Sequence, residues 1–529
     1  MTLLHELISA AAAAAPERQA VVTDDGATAT FVEFDRQIRN VAAWVAARTA
    51  PGDRVAVVAD NSAAYAQLYY AVPRSGRVLT LINQRLSPVE QAAQLTTAAP
   101  ALLLGDERYL TALSGTAAPV VMFESEQWRS AEAADLPLDD IAGPDDPAWL
   151  LFTSGSTGVP KAVVHSHRSI LTAVWGSVTG RSVQPGGVYL LPFPMCHVAG
   201  YNMLVQHAVA ATVVLCAQFR PESFTQLVRA HGVTSCSLAP TMLHSLLGYL
   251  DRSGAGLPSL SAIAYGSAAM PLNLLRRAIE VLGVDFHQGY GMTETGGNIT
   301  FLGPEDHRSG AADRPDLLTS AGYPHRDVEI GIAGPSGDLL PSGEVGEIVV
   351  RGAQVTPGYW PDGASTENGW LHTGDMGRTD ADGRLFVVDR LKDIIVTGGE
   401  NVSSREVEDV LSGHPGVDQV AVVAVPDDYW GEAVCAVVVP VPGPPPTADE
   451  LIEHVRQEIA GFKRPRVVLF TEALPLTSNG KIAKDRVRTF ARAAAANPSN
   501  GPDTADNTPG RRVFQAFSQM QDEFSDPST

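Results

Sequence analysis

Through its first half the chain alternates short Val/Ala/Leu runs of strand length with longer segments of helical spacing, and this alternation restricts the fold more than any other feature. Arg54-Val-Ala-Val-Val-Ala reads as a buried strand and 62–72 as the helix after it; the same order returns at 101–104, 188–192 and 212–216. Runs that are apolar throughout are buried on both faces, so they predict parallel or mixed sheets with helices packed outside. No repeat of about 20–50 residues is visible. A chain of 529 residues has room for three or four units of roughly 150 residues, and needs no disulfide or metal to complete its core.

The pattern changes between 343 and 388. Gly346-Glu-Ile-Val-Val-Arg-Gly and Gly383-Arg-Leu-Phe-Val-Val-Asp are short strands bounded by Gly/Asp turns, which predicts hairpins. After Arg390-Leu-Lys392 a compact α+β unit begins, with a helix from about Ser404, strands over 417–426 and 433–441, and a helix over 448–459. Residues 494–509 are rich in Asn, Pro, Ser, Asp, Thr and Gly and predict disorder. Beyond them Val513, Phe514, Phe517, Met520 and Phe524 recur at three- and four-residue spacing. That spacing predicts a short amphipathic helix near 511–524, folded back on the body or docking a partner.

Charge narrows the function. The 59 acidic residues outweigh 38 basic ones, leaving a formal charge of −21 that repels nucleic-acid backbones and anionic membranes. Four widely spaced cysteines without a C-x-x-C pair predict free thiols in a reducing compartment and no zinc site. The N-terminus lacks a basic n-region, and the apolar stretch near 209–216 is too short to span a bilayer. These features predict a soluble, cytoplasmic protein.

Five segments carry chemistry. In Phe152-Thr-Ser-Gly-Ser-Thr-Gly-Val-Pro-Lys161, the glycines Gly155 and Gly158 keep the loop open. Thr153, Ser154, Ser156 and Thr157 offer hydroxyls to phosphate oxygens and Lys161 adds a charge. Ala162 after the lysine rules out a Walker A loop. Gln288-Gly-Tyr-Gly-Met-Thr-Glu294 sets an aromatic ring beside glycines for stacking a base, with a Thr-Glu pair for a phosphate oxygen and Mg²⁺. Trp370-Leu-His-Thr-Gly-Asp375 places an acid in a Gly turn, where it either accepts from ribose hydroxyls or caps the turn. Asp389-Arg-Leu-Lys-Asp393 is followed by Thr397-Gly-Gly-Glu-Asn-Val402, and Pro475-Leu-Thr-Ser-Asn-Gly-Lys481 ends on a lysine after a tight turn.

In this order, and together with Asp60-Asn-Ser, Pro194-Met-Cys-His197, Tyr265-Gly-Ser-Ala-Ala-Met-Pro271, Gly358-Tyr-Trp360 and Trp430-Gly-Glu432, the segments resemble the adenylate-forming superfamily over about residues 5–490. The resemblance implies an α/β fold: a large N-terminal domain of helix-flanked sheets with a small distorted β-barrel (1–389), a hinge (390–392), a small mobile α+β C-terminal lid (393–490), and a mostly disordered tail (491–529). It implies ATP, Mg²⁺ and coenzyme A as ligands. The 153–161 loop would hold the β/γ-phosphates. Gly266, Ser267, Ala268, Gln288, Gly289 and Tyr290 would line the adenine site, with Val387 beside it. Thr293 would touch the α-phosphate, Glu294 would bind Mg²⁺, and Asp375 with Arg390 would hold the ribose. Lys481 would reach the α-phosphate and the acid's carboxylate, and Lys392 would be the hinge. Rotation there would withdraw Lys481 and bring Gly398 and Gly399 into a pantetheine tunnel.

The acid and the thiol are read from the remaining positions. Phe193-Pro-Met-Cys-His-Val-Ala-Gly-Tyr-Asn202 holds no carboxylate to pair a substrate ammonium, which disfavours amino acids. His197, Val198, Tyr201, Leu204, Val205, Ser267, Gly291 and Met292 make a mostly apolar expected wall, suited to a hydrophobic, fatty acid. His197 either gates this pocket or is structural. Trp430, Lys463 and Arg464 suit the anionic tail of coenzyme A. The expected activity is thus an AMP-forming acyl-CoA synthetase. The alternatives are an acyl-AMP ligase loading an acyl carrier protein, made less favourable by the short 360–370 link, and a silent nucleotide- or acyl-binding module. Two departures from the family pattern, Asp389 before Arg390 and Ser404 in place of a proline, leave the chemistry untouched, and Ser404 is expected to cap the helix it opens.

Overall fold

The computed structural model describes residues 1–113, 116–139, 141–153, 161–361, 363–427, 429–477, 480–496 and 512–513. Ser154, Gly155, Ser156, Thr157 and Gly158 lie outside the described residues, as does the tail over 497–511 and 514–529.

The strand–helix alternation closes into two helix-flanked sheets. One has nine strands. At its centre run six parallel neighbours: Asp285–Met292, Ala262–Gly266, Ser235–Leu238, Val188–Leu191, Thr212–Leu215 and Gln19–Thr23. The other has seven, with a parallel centre of Pro147–Thr153, Val78–Leu81, Arg54–Val58, Leu102–Gly105 and Val120–Met122. The central runs Arg54–Val58 and Val188–Leu191 are almost wholly buried, as their unbroken apolar sequence predicts. One continuous core carries Trp44, Tyr65, Tyr69, Tyr70, Trp149 and Phe224 between the layers.

Where the hairpin grammar begins, the chain forms a four-stranded antiparallel sheet, Val328–Ala333, Gly346–Gly352, Leu371–Thr379 and Leu385–Arg390. It takes the place expected for a distorted barrel, and a bridge from Leu385 to Gly322 ties it to the end of the nine-stranded sheet. The C-terminal part is a sheet built on the long hairpin Val417–Asp427/Gly431–Pro440, with Ser404–Leu411 and Ala448–Glu458 contributing to the core on one face and Lys484–Ala496 to that on the other. At the two described tail positions the backbone is extended: Arg512–Val513 pairs with Val467 and Val468, where helical spacing had predicted helix. Strand pairing to an open sheet edge overrides local spacing there.

The junction between the two parts turns on Asp389, 7% exposed. Its Oδ2 accepts from Ser403 Oγ, Ser404 Oγ (2.8 Å) and the Arg405 amide, and its Oδ1 accepts from the Arg390 amide at 2.7 Å. The helix cap is Ser403, which accepts from the Glu406 amide; Ser404 instead donates to Asp389 and accepts from Lys484. This corrects the expected cap. One residue of chain decides it, because a cap must sit outside the first turn while Ser404 is already in it. Replacing Asp389 with alanine leaves buried donors without an acceptor and is expected to cost about 3 kcal/mol. Urea denaturation of wild type, Asp389→Ala and Asp389→Asn checks this; an unchanged midpoint for Asp389→Ala would show the cluster contributes nothing.

Candidate active site

The site gathers at the carboxyl ends of the central strands, where a parallel sheet turns its strand-to-helix loops. Lys161 opens the strand that returns from the phosphate-loop segment and pairs in register with Thr153. Its Nζ lies 5.8 Å from the ring centre of Tyr359, whose hydroxyl donates to Glu294 Oε1 at 3.2 Å. The Gly358–Trp360 segment is thus a strand linking Lys161 to Glu294. Burial raises the Glu294 pKa, and no Lys or Arg forms an ion pair with it among the described residues. Such a carboxylate can take a cation that arrives with a ligand.

Thr293 begins a short turn, Thr293–Thr295, whose carbonyl is held by His165 Nε2 at 2.7 Å. Burial pushes the His165 pKa down to about 4, so its ring is neutral and donates there. His165 was not legible as a site residue; its only signal is its place four residues after Lys161.

Gly266, Gly289 and Gly291 are explained first by packing. A Cβ on Gly266 would strike the Gly289 carbonyl, one on Gly289 the Asn298 side chain, and one on Gly291 the Gly297 carbonyl. Ser267 adopts φ 69°, a left-handed backbone uncommon outside glycine, at the turn leaving the strand. Ala268 follows it, exposed. Gln288 keeps its Oε1 buried and unpartnered.

Tyr290 donates from its hydroxyl to Asp375 Oδ2 at 2.7 Å, and Arg390 Nε lies 3.4 Å from Asp375 Oδ1. Asp375 and Arg390 are register partners on adjacent strands, and Val387 sits on the same strand as Arg390. Burial raises the Asp375 pKa while Arg390 and the Tyr290 hydroxyl pull it down. Lys481 reaches this group from the C-terminal part, its turn anchored where Thr241 Oγ1 donates to the Gly480 carbonyl at 2.5 Å. Burial and the nearby Arg390 push the Lys481 pKa down to about 8, against the pull of Asp375. His197 feels the same ammonium: burial first, then Lys481 and Arg85, push its pKa down to about 3, and its Nε2 is buried without a partner.

Beside His197 lies a cavity of about 50 Å³ that takes in Val198, Tyr201, Gly291 and Met292. Val205 and Leu204 do not line it; both are fully buried in the core behind. The wall is also less apolar than its sequence predicts, because Asn202 joins it from the helix of Tyr201, and Arg181, Ser237 and Asn298 reach it from three other elements. Asn61 fixes the loop between: its side chain donates to the Phe193 and Cys216 carbonyls and accepts from the Met195 amide.

The residues predicted for a thiol ligand are not all available. Lys463 is paired with Glu406 at 2.6 Å, so its charge is already balanced within the C-terminal part. Arg464 has no carboxylate partner among the described residues. Gly398 (φ 61°) packs against Trp430, donating its amide to the Trp430 carbonyl at 2.9 Å, and Arg466 lies 4.0 Å over the indole. Gly399 (φ 86°) follows with open space where a Cβ would be. Lys392 is exposed and 3.4 Å from Asp485.

Comparison with known proteins shows the family. Residues 8–360 match the family model described as AMP-binding enzyme, and 406–481 match the AMP-binding enzyme C-terminal domain. A feruloyl-CoA synthase of Amycolatopsis is 35% identical over 474 residues, covering 88% of this chain and 95% of the relative. The fatty acid–[acyl-carrier-protein] ligase ScoC of Streptomyces coeruleorubidus is 34% identical over 481 residues, covering 88% and 92%. The amide bond synthetase McbA of Marinactinospora thermotolerans superposes with a TM-score of 0.83 at 32% identity, covering 92% of this chain and 99% of that one. With both family models matched in order and the cleft between them lined as described, the chain belongs to the AMP-binding enzyme family, the adenylate-forming acid ligases.

Proposed function

We propose that the protein condenses a compact carboxylic acid with ATP to an acyl-adenylate and passes the acyl group to the thiol of coenzyme A. The observation that carries this is the convergence of Lys481 with the Asp375–Arg390 pair, two groups from opposite parts of the chain that share one electrostatic environment. A carboxylate oxygen attacks the α-phosphorus, the bond to the bridging oxygen breaks, and pyrophosphate leaves with the electron pair. Negative charge on the α-phosphate grows in that step, and Lys481 is the chain's own cation for it. Asp375 and Arg390 accept and donate to the ribose hydroxyls, while Tyr290, tethered to Asp375, lies along the base. Lys161 and the hydroxyls of the 153–157 segment hold the outer phosphates. Glu294, half-buried and in no ion pair among the described residues, fits Mg²⁺, which would neutralise phosphate charge there. His197, neutral at physiological pH, closes the acid's side of the cleft.

In the second step the thiol sulfur attacks the acyl carbon, the carbon–oxygen bond to AMP breaks, and the thiol proton passes to solvent. Rotation about 390–392 would carry Lys481 away and admit the Gly398–Trp430 surface. The similarity to ScoC favours a second reading in which a carrier protein supplies the thiol. A cavity of about 50 Å³, far below the roughly 300–1,000 Å³ of common ligand pockets, supports a ring or short chain over a long fatty tail. Pyrophosphate release across C2–C18 and aryl acids, with and without coenzyme A and with products identified by mass, tests the proposal. Acyl-CoA is expected. An adenylate that accumulates unchanged on adding coenzyme A would favour the carrier protein, and no turnover with any acid would sink the proposal.

A further inference from the structure

The cavity beside His197 ends on a positive charge that pairs with no carboxylate among the described residues. Arg181 caps the C-terminal end of helix His167–Gly180 and contributes to the cavity wall. Its Nη1 donates to Asn202 Oδ1 at 2.6 Å and its Nη2 to the Tyr201 hydroxyl at 3.4 Å, while Nε is buried with no partner. Among the described residues no Asp or Glu forms an ion pair with it. The bonds to Asn202 and Tyr201 explain why the side chain lies against the helix Tyr201–His207. They do not explain why a half-buried guanidinium holds its Nε–H away from water with no acceptor, which costs free energy an apolar residue would not.

Polar groups share the cavity wall with Arg181, beside the apolar Phe193, Val198 and Leu238. Ser237, Ala264 and His287 are register neighbours across three parallel strands and project from one face of the sheet. Ser237 and Ala264 line the cavity, Ser237 Oγ accepts from the Tyr189 hydroxyl at 2.8 Å, and His287 keeps a buried Nδ1 without a partner. Burial and Arg181 hold the His287 pKa down to about 4, so the ring adds no second charge. This row lies two residues below Gly266 and Gly289 in the same register, roughly 6–7 Å deeper at a strand rise of about 3.3 Å per residue. The floor therefore carries a cation and polar groups, below the Gly266 and Gly291 part of the same cavity.

We propose that this floor selects an acid carrying a second oxygen acceptor, a carboxylate or a phenol oxygen, at the end remote from the carboxylate that is activated, and that Arg181 holds it. The inference rests on the acid-activating reading above and adds the class of acid. A guanidinium meets such oxygens with a planar fork of donors. An apolar acid of equal length leaves the donors that Asn202 and Tyr201 do not use, Nε–H among them, without an acceptor, which is how a site built for a polar group rejects analogues lacking it.

The test uses matched acids on the full chain: adipate against hexanoate, and 4-hydroxybenzoate against 4-methylbenzoate. Pyrophosphate release with ATP and Mg²⁺ is one readout; calorimetric titration of each acid without ATP is the other. In at least one pair the oxygen-bearing acid is expected to exceed its partner about 100-fold in kcat/KM and to bind more tightly. Arg181→Met brings the ratio near one, and Arg181→Lys, which keeps charge but not the fork, falls between. Preference for adipate identifies a carboxylate, and for 4-hydroxybenzoate a phenol. A wild type that handles hexanoate and 4-methylbenzoate as well as their partners, or an Arg181→Met enzyme that keeps the full ratio, overturns the inference and leaves acid activation standing. Oxygen-dependent binding lost in Arg181→Met, without pyrophosphate from any acid, supports the inference and removes the acid-activating reading. Neither binding nor turnover of either oxygenated acid overturns the inference. If Arg181→Met does not fold, the wild-type ratio and Arg181→Lys decide.

Discussion

Changing Lys481 to alanine is expected to slow acyl-adenylate formation about 10³-fold, close to 4 kcal/mol of transition-state stabilisation. The same variant, given a preformed acyl-adenylate, should transfer the acyl group to coenzyme A at near the wild-type rate. The split follows from geometry. Lys481 comes from the C-terminal part on a turn held by one bond from Thr241, and its charge is sensed by His197 and Asp375 in the N-terminal part. If the lysine serves only the first half-reaction, only that half should suffer. The pH profile gives a second check. A lysine with its pKa at about 8 is charged below that value and loses its charge as pH rises through it. In the free enzyme kcat/KM for adenylation should therefore fall above about pH 8, while whatever activity Lys481→Arg retains should show no fall there. Stopped-flow pyrophosphate release on both half-reactions reads both effects. An Ala variant equally slow in both steps would show a structural role instead.

Changing Asp375 to alanine should raise the KM for ATP about 10²-fold or more, since charge-assisted hydrogen bonds contribute about 1.5–3 kcal/mol each. Asp375 is 7% exposed, accepts from Tyr290 and lies against Arg390, so one substitution frees both neighbours. The effect is separable from general disruption by pairing the variant with 2′-deoxy-ATP. Wild type should discriminate against the deoxynucleotide and Asp375→Ala should not, because the carboxylate and the hydroxyl are two halves of one contact. Discrimination that survives in the variant would place the ribose elsewhere. Asp375→Asn keeps the shape and should fall between the two.

The two predictions draw on different depths of the sequence. Lys481, Asp375, Arg390 and Glu294 stood out in the chain because each sits in a short segment whose residue types only make joint sense around a nucleotide. Their order along the chain then restricted the fold that could bring them together. The parallel sheets followed from runs such as Arg54–Val58 and Val188–Leu191, whose apolar character on both faces is a local property.

What the order of residues determined by itself was thus the strand–helix alternation of the first half, the hairpins that begin near 343, the compact α+β unit after 392 and the family. What only the tertiary structure decided were contacts between residues far apart in the chain. Lys463 reads as a cation for an anionic ligand until Glu406 is found beside it. Val205 reads as pocket wall until the helix that carries it turns it into the core. Arg181 belongs to no segment that carries chemistry in the sequence, and the packing of Tyr201–His207 with the register of three strands brings it to the cavity. The physical reason is the same in each case. Element type is set by hydrogen bonding and burial over a few neighbouring residues, whereas a side chain's partner depends on strand register and helix packing, where a shift of one residue reverses the face it presents.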